Sequence, residues 1–322
     1  MRAIKVHEVG GPEAMRLEDV QLPPPGPGEA RVRHRAIGLN YIDVYYRTGH
    51  YPAQAPFTPG SEGAGDVVAV GPGVKDFKLG DRVAYVSRTG AYAEEANIAV
   101  AALVRLPQAI SYEIAAAAML KGLTAQYLLR QTYRVKKGDA ILVHAAAGGV
   151  GLILCQWGKA LGATVIGTVG SPEKAAMAKK AGAAHTILYR EENFAARVAE
   201  ITKGAKCHVV YDGVGKATFP ASLDCLRPLG MFASYGSASG AIENFNLALL
   251  AQKGSLFATR PSLFTFLADR ARYERMARDL FSVLRSSAVK VKIGARLPLA
   301  EAARAHEALE ARATSGSTVF LP

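Results

Sequence analysis

The stretch AILVHAAAGGVGLILCQWGKALG, residues 140–162, constrains the fold of this chain more than any other segment. Its apolar run ILV (141–143) is typical of a strand buried on both faces of a parallel sheet. Ala146, Gly148 and Gly151 follow at the spacing of a G-x-G-x-x-G fingerprint, with alanine in the first place. Strand, glycine turn and helix therefore occur in the order required by a site that holds the pyrophosphate of a dinucleotide.

The helix after this turn predicts which backbone groups meet the phosphates. Unpaired N–H groups and the helix dipole favour an anion at a helix N-terminus. We therefore predict cofactor contacts from four consecutive residues, Ala147, Gly148, Gly149 and Val150. A P-loop is excluded because no Gly-Lys-Ser/Thr follows the glycines. A turn of small residues without a ligand is the alternative interpretation.

The next strand end indicates NADPH rather than NADH. NAD-binding sheets carry an Asp or Glu about 20 residues after the first glycine, where it binds the ribose hydroxyl. Here Gly170 and Ser171 stand at the strand end and Lys174 follows, a set that favours a 2′-phosphate. Ser171 is also a predicted helix N-cap, which leaves Lys174 as a surface charge in the alternative interpretation. Tyr189 ends the following strand, where we expect it either against the adenosine or as an ordinary strand-end tyrosine.

Composition limits the class of protein. The 322 residues suffice for two domains, and half of them are apolar. There is no apolar run of transmembrane length and no signal peptide, and the three cysteines suit a reducing compartment, so we expect a cytoplasmic protein. Although the net charge is +12, the lysines and arginines are scattered without an interleaved aromatic patch. We therefore expect no nucleic-acid partner and no membrane, and a positive field that attracts an anionic cofactor.

The pattern of predicted secondary structure changes twice along the chain. Residues 1–120 are rich in short strands separated by Gly- and Pro-rich turns, whereas residues 123–260 alternate strands with helices. This alternation predicts an α/β fold with a doubly wound parallel sheet. The last ~60 residues are too few for a core of their own and are expected to return to the first domain.

Several segments carry a resemblance to a known family. They are AIGLNYIDVYYRTGHYP (36–52), PGSEGAG (59–65), KLGDRVAY (78–85), KGLTAQYLL (121–129), HAAAGGVG (144–151), GTVGSPEK (167–174) and RATSGSTVFL (312–321). The chain resembles zinc-independent medium-chain dehydrogenases/reductases of the quinone oxidoreductase, zeta-crystallin-like group, and especially the bacterial NADPH:quinone reductases.

The resemblance implies an architecture. It implies a GroES-like β-rich catalytic domain (1–122 and 262–322) and a Rossmann NADPH-binding domain (123–261), with the active site in the cleft between them. It also implies a homodimer formed through the cofactor domains.

The resemblance also implies roles for individual residues. Asn40, Tyr45 and Tyr51 are the candidate catalytic residues, with Asn40 as a hydrogen-bonding group and either tyrosine as a proton donor or as aromatic lining. Gly213 departs from the family, which often has serine there. The further cofactor contacts that the resemblance implies are Asn40, Asp43, Tyr45, Thr124, Tyr235, Gly236, Ser237, Ser262 and Arg312.

The zinc-dependent branch of the superfamily differs at the positions of its metal ligands. Its early cysteine falls among residues 38–40 of this chain, and its Gly-His-Glu segment reads Gly60-Ser61-Glu62. We therefore predict no metal site, and an acceptor that is already electrophilic. The predicted function is an NADPH-dependent quinone oxidoreductase, and the alternative is a reductase of α,β-unsaturated carbonyls (enones or enals). A non-enzymatic role, crystallin-like or RNA-binding, is the third possibility.

Overall fold

A computed structural model describes all residues from Met1 to Pro322. The strands are β1 (Arg2–Val6), β2 (Met15–Asp19), β3 (Glu29–Gly38), β4 (Glu62–Val70), β5 (Arg82–Val86), β6 (Glu95–Ala99), β7 (Leu103–Arg105), β8 (Ala140–Val143), β9 (Thr164–Val169), β10 (His185–Leu188), β11 (Cys207–Asp212), β12 (Leu226–Ser234), β13 (Phe257–Thr259), β14 (Ile293–Pro298) and β15 (Ser317–Leu321). The α-helices are α1 (Tyr41–Arg47), α2 (Tyr112–Tyr127), α3 (Gly149–Ala160), α4 (Pro172–Lys180), α5 (Phe194–Ile201), α6 (Ala221–Asp224), α7 (Ala248–Gln252), α8 (Leu263–Leu267), α9 (Arg270–Arg285) and α10 (Ala302–Glu310). Short 3-10 turns span Pro12–Ala14, Val100–Ala102 and Leu299–Glu301, and a π-helical turn spans Leu128–Thr132.

The first compact unit comprises residues 1–121, 280–285 and 291–322. Its main sheet is seven-stranded in the order β14-β15-β3-β4-β5-β7, with β6 paired to β3, and a separate ribbon joins β1 to β2. Most neighbours are antiparallel, and β14 and β15 are parallel. In β3 buried and more exposed residues alternate over most of its length, as expected of a sheet with one face on a core.

The second unit comprises residues 122–279 and 286–290. Its six-stranded sheet has the order β10-β9-β8-β11-β12-β13, and every neighbouring pair is parallel. The central strand β8 supplies Ile141, Leu142 and Val143, all without solvent exposure. The apolar run of that strand is therefore explained by a sheet covered on both faces.

The helices between these strands begin and end on local signals. At α4, Ser171 is the N-cap and Pro172 opens the first turn, and at α5 the Asn193 side chain accepts hydrogen bonds from the amides of Ala195 and Ala196. Gly182, with φ of +107°, follows the end of α4. The order of strands in this unit reverses at β8, where β9 and β10 lie on one side and β11 to β13 on the other.

The predicted α/β fold class is confirmed, with one β-rich unit and one doubly wound parallel sheet. The pairing of β15 with β3 brings the end of the chain into the first sheet. The chain passes from the first unit to the second within α2 and returns to the first within α9. Residues 262–279 therefore belong to the unit of the parallel sheet. The sequence prediction instead assigned residues from 262 onward to the β-rich domain. No helix in the chain has the length and apolar character needed to span a bilayer.

Candidate active site

The parallel sheet brings many of the predicted cofactor residues to one edge. Because all its strands run the same way, the residues that follow their carboxyl ends share that edge, which is where ligands bind in such sheets. The predicted residues that follow strand ends there are Ala147–Val150 after β8, Gly170 and Ser171 after β9, Tyr189 after β10, Tyr235–Ser237 after β12 and Ser262 after β13.

The glycine turn after β8 has the geometry expected of an anion-binding turn. Ala145 has φ of +50°, and Gly148 is the N-cap of α3 without a side-chain hydrogen bond to the helix. The first-turn amides of α3 therefore have no side-chain cap and are available to an anion. A Cβ at Gly151 would lie 2.3 Å from the Ala145 carbonyl oxygen, so this position requires glycine for α3 to approach the turn.

The start of α4 holds the residues predicted to recognise a 2′-phosphate. The Ser171 hydroxyl accepts a hydrogen bond from the Lys174 amide at 3.4 Å, and the Lys174 side chain is partly exposed. The Tyr189 ring lies over the same loop, since a Cβ at Gly170 would be 3.1 Å from its hydroxyl. One feature that sequence reasoning missed is Glu173, whose pKa is lowered by a hydrogen bond from the Ser171 hydroxyl. Gly170, Ser171, Lys174 and Tyr189 thus form one group, with a carboxylate beside it.

The end of β11 shows what replaces the serine that the family often has at position 213. A Cβ at Gly213 would lie 2.9 Å from the Tyr235 ring, so that ring occupies the space of a side chain there. Asp212 is fully buried, and its carboxylate accepts hydrogen bonds from the amides of Val214 and Gly215 and from the Thr218 hydroxyl. These bonds fix the loop beside Tyr235, and burial raises the pKa of the Tyr235 hydroxyl.

His144, which directly precedes the glycine turn, is enclosed by the protein and hydrogen-bonded on both ring nitrogens. It is fully buried, with Nδ1 at 2.8 Å from the Thr168 hydroxyl and Nε2 at 2.9 Å from the Ser222 hydroxyl. Burial lowers its pKa. The imidazole therefore joins β8, β9 and α6 as a neutral hydrogen-bonding group.

Two predicted cofactor residues, Thr124 and Arg312, do not lie at the carboxyl edge of the parallel sheet. Thr124 is buried within α2, one turn from its C-terminus. Arg312 belongs to the first unit, where it is exposed in the loop between α10 and β15 with φ of +58°. Their contacts with a cofactor stay predictions.

The first unit contains a buried polar cluster around Asn40. The amide Nδ2 of Asn40 donates to Glu62 Oε1 at 2.7 Å, and Lys121 Nζ donates to the same oxygen at 3.1 Å. Glu62 Oε2 accepts from the Leu120 amide at 2.7 Å, and Lys121 also donates to the Leu39 carbonyl. Asn40, Glu62 and Lys121 are all buried, so the cluster fixes the Asn40 side chain.

The pairing of Glu62 with Lys121 was not predicted from the sequence. The available signal was a lysine in the largely apolar stretch AAAAMLKGL, since a buried lysine needs a partner.

Asp43 lies in the same region and supports Asn40. Its carboxylate accepts hydrogen bonds from the backbone N–H of Asn40 at 2.9 Å, the Ser61 hydroxyl at 2.7 Å and the Tyr92 hydroxyl at 3.0 Å. Burial raises its pKa to about 6, against the opposing effect of these hydrogen bonds. Because three donors of the protein already occupy Asp43, the structure gives it a positioning role at the start of α1. Its predicted contact with a cofactor stays a prediction.

The predicted tyrosines form an aromatic wall with two neighbours. The ring centroids of Tyr45 and Tyr51 are 5.1 Å apart, and Tyr45 lies 5.3 Å from Tyr41 and 4.9 Å from His50. Tyr45 and Tyr51 are each partly exposed. We call Tyr41, Tyr45, His50 and Tyr51 the aromatic wall, a surface suited to a flat ring.

Comparison with known proteins places the chain in a family. A family model described as an alcohol dehydrogenase GroES-like domain matches residues 26–137, and one described as a zinc-binding dehydrogenase matches residues 149–280. A quinone oxidoreductase of Pseudomonas aeruginosa is 54% identical, over 100% of this chain and 99% of that protein. The chain belongs to the quinone oxidoreductase group of the medium-chain dehydrogenases/reductases. The predicted resemblance and the GroES-like fold are thereby confirmed.

Two further relatives bear on the chemistry of the family. The crystal structure of Escherichia coli quinone oxidoreductase complexed with NADPH matches with a TM-score of 0.97 at 49% identity, covering 100% of both chains. A 2-haloacrylate reductase of a Burkholderia species is 44% identical, over 99% of this chain and 98% of that protein. Relatives of similar sequence identity are thus named for two kinds of acceptor, a quinone and a 2-haloacrylate.

The residues of this chain do not fit the zinc ion in the description of one family model. No group of three His, Cys, Asp or Glu side chains lies together as a metal site requires. The cysteines are buried, and burial raises the pKa of Cys155 and of Cys207 to about 12, whereas zinc is bound by the thiolate. The side chains of this chain therefore offer no ligand set for zinc.

Proposed function

We propose that this protein is an NADPH-dependent oxidoreductase that reduces a quinone without a metal ion. The glycine turn after β8, with uncapped helix amides and the Ser171–Lys174 loop at the same sheet edge, is the observation that carries this proposal. Full-length similarity to quinone oxidoreductases, one of them in complex with NADPH, supports it.

The residues of the second unit would hold the cofactor by its charges. The amides of Ala147, Gly149 and Val150 would donate to the pyrophosphate, whereas the Gly148 amide already donates to the Ala145 carbonyl at 2.8 Å and holds the turn. The Ser171 hydroxyl and the Lys174 ammonium would bind the 2′-phosphate. When bound, NADPH supplies a hydride from its nicotinamide ring.

The residues of the first unit would hold the acceptor. The aromatic wall offers its ring faces to a flat quinone and excludes water. Because Glu62 accepts from Asn40 Nδ2 and Asp43 fixes the start of α1, the Asn40 side chain has a defined orientation before an acceptor binds. Tyr45 or Tyr51 would donate a hydrogen bond or a proton to the reduced oxygen, since a phenol hydroxyl is a donor at neutral pH.

A reductase of α,β-unsaturated carbonyl or carboxyl compounds is the second candidate function. The observation in its favour is the 2-haloacrylate reductase at 44% identity over nearly the whole chain. Such an acceptor also receives hydride at an electrophilic carbon and would use the same cofactor residues.

We also propose that the protein is a homodimer through its parallel-sheet units. Strand β13 is the edge of that sheet, and its Phe257 side chain is 56% exposed. Leu229 on β12 and Leu247 before α7 are exposed as well. An unpaired edge strand with exposed apolar side chains is suited to association with a second sheet.

Steady-state oxidation of NADPH at 340 nm tests the enzymatic proposal. The acceptors are 1,4-benzoquinone, 2-cyclohexenone and 2-chloroacrylate, with buffer alone as the blank. We expect the highest kcat/KM with the quinone. A higher kcat/KM with cyclohexenone or chloroacrylate selects the second function, and no acceptor-dependent oxidation overturns both and leaves a non-enzymatic role.

A further inference from the structure

A strongly basic cavity lies in the second unit, lined by residues that the proposed function does not use. Its volume is about 330 Å³. The arginines around it come from two segments, Arg130 and Arg134 from the π-helical turn and the loop after it, and Arg272, Arg275 and Arg278 from α9.

The arginine charges are poorly compensated within the protein. The guanidinium groups of Arg130, Arg134, Arg272 and Arg275 form no hydrogen bond or ion pair, and Arg278 is 3.8 Å from its nearest carboxylate, Glu274. Because the three arginines of α9 are spaced three residues apart, they lie along one side of the helix, where like charges repel. An anion in the cavity would relieve this repulsion.

The one carboxylate that lines the cavity, Asp279, is hydrogen-bonded to a glutamine rather than to an arginine. Asp279 Oδ2 accepts a hydrogen bond from Gln126 Nε2 at 2.9 Å, and Gln126 Oε1 accepts one from Gln131 Nε2 at 2.7 Å. Gln126 is buried, so this chain of amides holds Asp279 in place without an ion pair to any of the five arginines. The cavity therefore presents a surplus of positive charge to a ligand.

We propose that this cavity binds a compact anion with two linked phosphoryl groups, either free pyrophosphate or the diphosphate of a nucleotide. Guanidinium groups match phosphate oxygens in a bidentate geometry, which makes arginine clusters selective for such groups. At about 30 Å³ for each water in the liquid, the cavity has the volume of about eleven waters. It thus has room for a diphosphate together with part of its hydration.

Isothermal titration calorimetry of the full chain with pyrophosphate tests this site. Sodium chloride keeps the ionic strength constant, and inorganic phosphate and ADP are titrated in parallel. We expect saturable binding of pyrophosphate, tighter than that of phosphate. Because ADP can also bind the glycine turn, only the part of its binding that is weakened by Arg272→Ala/Arg275→Ala is assigned to the cavity. If that part is at least as tight as pyrophosphate, a nucleotide is the source of the diphosphate; if it is weaker, the free anion is.

Three variants separate this cavity from other cationic sites. Arg272→Ala/Arg275→Ala should raise the Kd for pyrophosphate at least tenfold, with an unchanged circular dichroism spectrum. Arg16→Ala/Lys75→Ala removes two exposed, unpaired charges of the first unit and should change the Kd less than twofold. Lys174→Glu alters the proposed cofactor site and should also change it less than twofold.

Four results would overturn the proposal. They are no saturable binding by the wild type, equal weakening by the two double variants, loss of binding in Lys174→Glu, or tighter binding of citrate than of pyrophosphate. A single-stranded RNA oligonucleotide is titrated as well. If it binds and depends on Arg272 and Arg275 while pyrophosphate does not bind, the arginines belong to a nucleic-acid surface instead.

Discussion

At the scale of single residues, the proposed function makes the choice between NADPH and NADH depend on a few charges at the start of α4. Lys174 is partly exposed beside the N-cap Ser171, and Glu173 accepts a hydrogen bond from the Ser171 hydroxyl. A bound 2′-phosphate would compete with Glu173 for that hydroxyl. In the proposed function the ammonium of Lys174 is the positive charge that would favour the phosphate at this loop.

Lys174→Glu should discriminate between the cofactors. Loss of a charge-assisted hydrogen bond costs about 1.5–3 kcal/mol, which corresponds to roughly a 10- to 100-fold higher KM for NADPH. NADH lacks the phosphate, so its KM should change less than threefold. The measurement is the KM for each cofactor with a saturating quinone.

Lys180→Glu is the matched control for this prediction, because Lys180 is exposed in the last turn of the same helix. It carries the same change of charge and should leave the ratio of the two KM values within twofold of the wild type. Equal effects of Lys174→Glu on both cofactors would show that Lys174 has no specific contact with the phosphate.

At the scale of elements, the β8–turn–α3 segment depends on the close approach of helix and turn. In Gly151→Ala the new Cβ would lie 2.3 Å from the Ala145 oxygen and 2.8 Å from the Ala146 Cα, both parts of the backbone. We expect α3 to shift, at a cost of about 1–3 kcal/mol in the free energy of unfolding. NADPH should also bind at least several-fold more weakly, because the turn amides move with the helix. Urea unfolding and a fluorescence titration with NADPH measure the two effects.

Gly26→Ala is a suitable control for this substitution, because its Cβ would meet only the flexible Glu29 carboxylate, at 3.4 Å. It should change neither quantity appreciably. If Gly151→Ala retains wild-type stability and affinity, the close approach does not determine the geometry of the turn.

Elements with a strong periodic or capping signal were predictable from the sequence. The helix that Ser171 predicts as an N-cap is observed at Pro172–Lys180, and the strand predicted at residues 141–143 is observed at Ala140–Val143, because each depends on neighbours in sequence. The cluster of Asn40, Glu62 and Lys121 was not predicted in full. Its members meet through the fold, and Lys121 is 59 residues from Glu62 in sequence. The arginine cavity was missed for the same reason, since its two segments are far apart in sequence.

At the scale of the whole molecule, buried titratable groups determine how stability depends on pH. Burial lowers the pKa of His34 to about 4, of His306 to about 3 and that of His144 as well. An unfolded histidine has a pKa near 6.5, so below that pH the unfolded chain binds protons that these folded histidines do not. Their contribution to stability is present above pH 6.5 and is lost as the pH falls. Asp43, with its pKa raised to about 6, acts in the opposite direction and adds stability as the pH falls from 6 to 4.

The three histidines outweigh Asp43, so the protein should be less stable at pH 5 than at pH 7. The expected loss is roughly 2 kcal/mol for each of His34 and His306, and Asp43 returns on the order of 1 kcal/mol. Urea unfolding at the two pH values measures the difference. In Asp43→Asn the opposing contribution is absent, so the stability of the wild type relative to this variant should rise by about 1 kcal/mol on going from pH 7 to pH 5. A wild type that is more stable at pH 5 would mean that the buried histidines are protonated in the folded state. If the stability of the wild type relative to Asp43→Asn does not rise when the pH is lowered from 7 to 5, Asp43 ionises below pH 4 despite its burial.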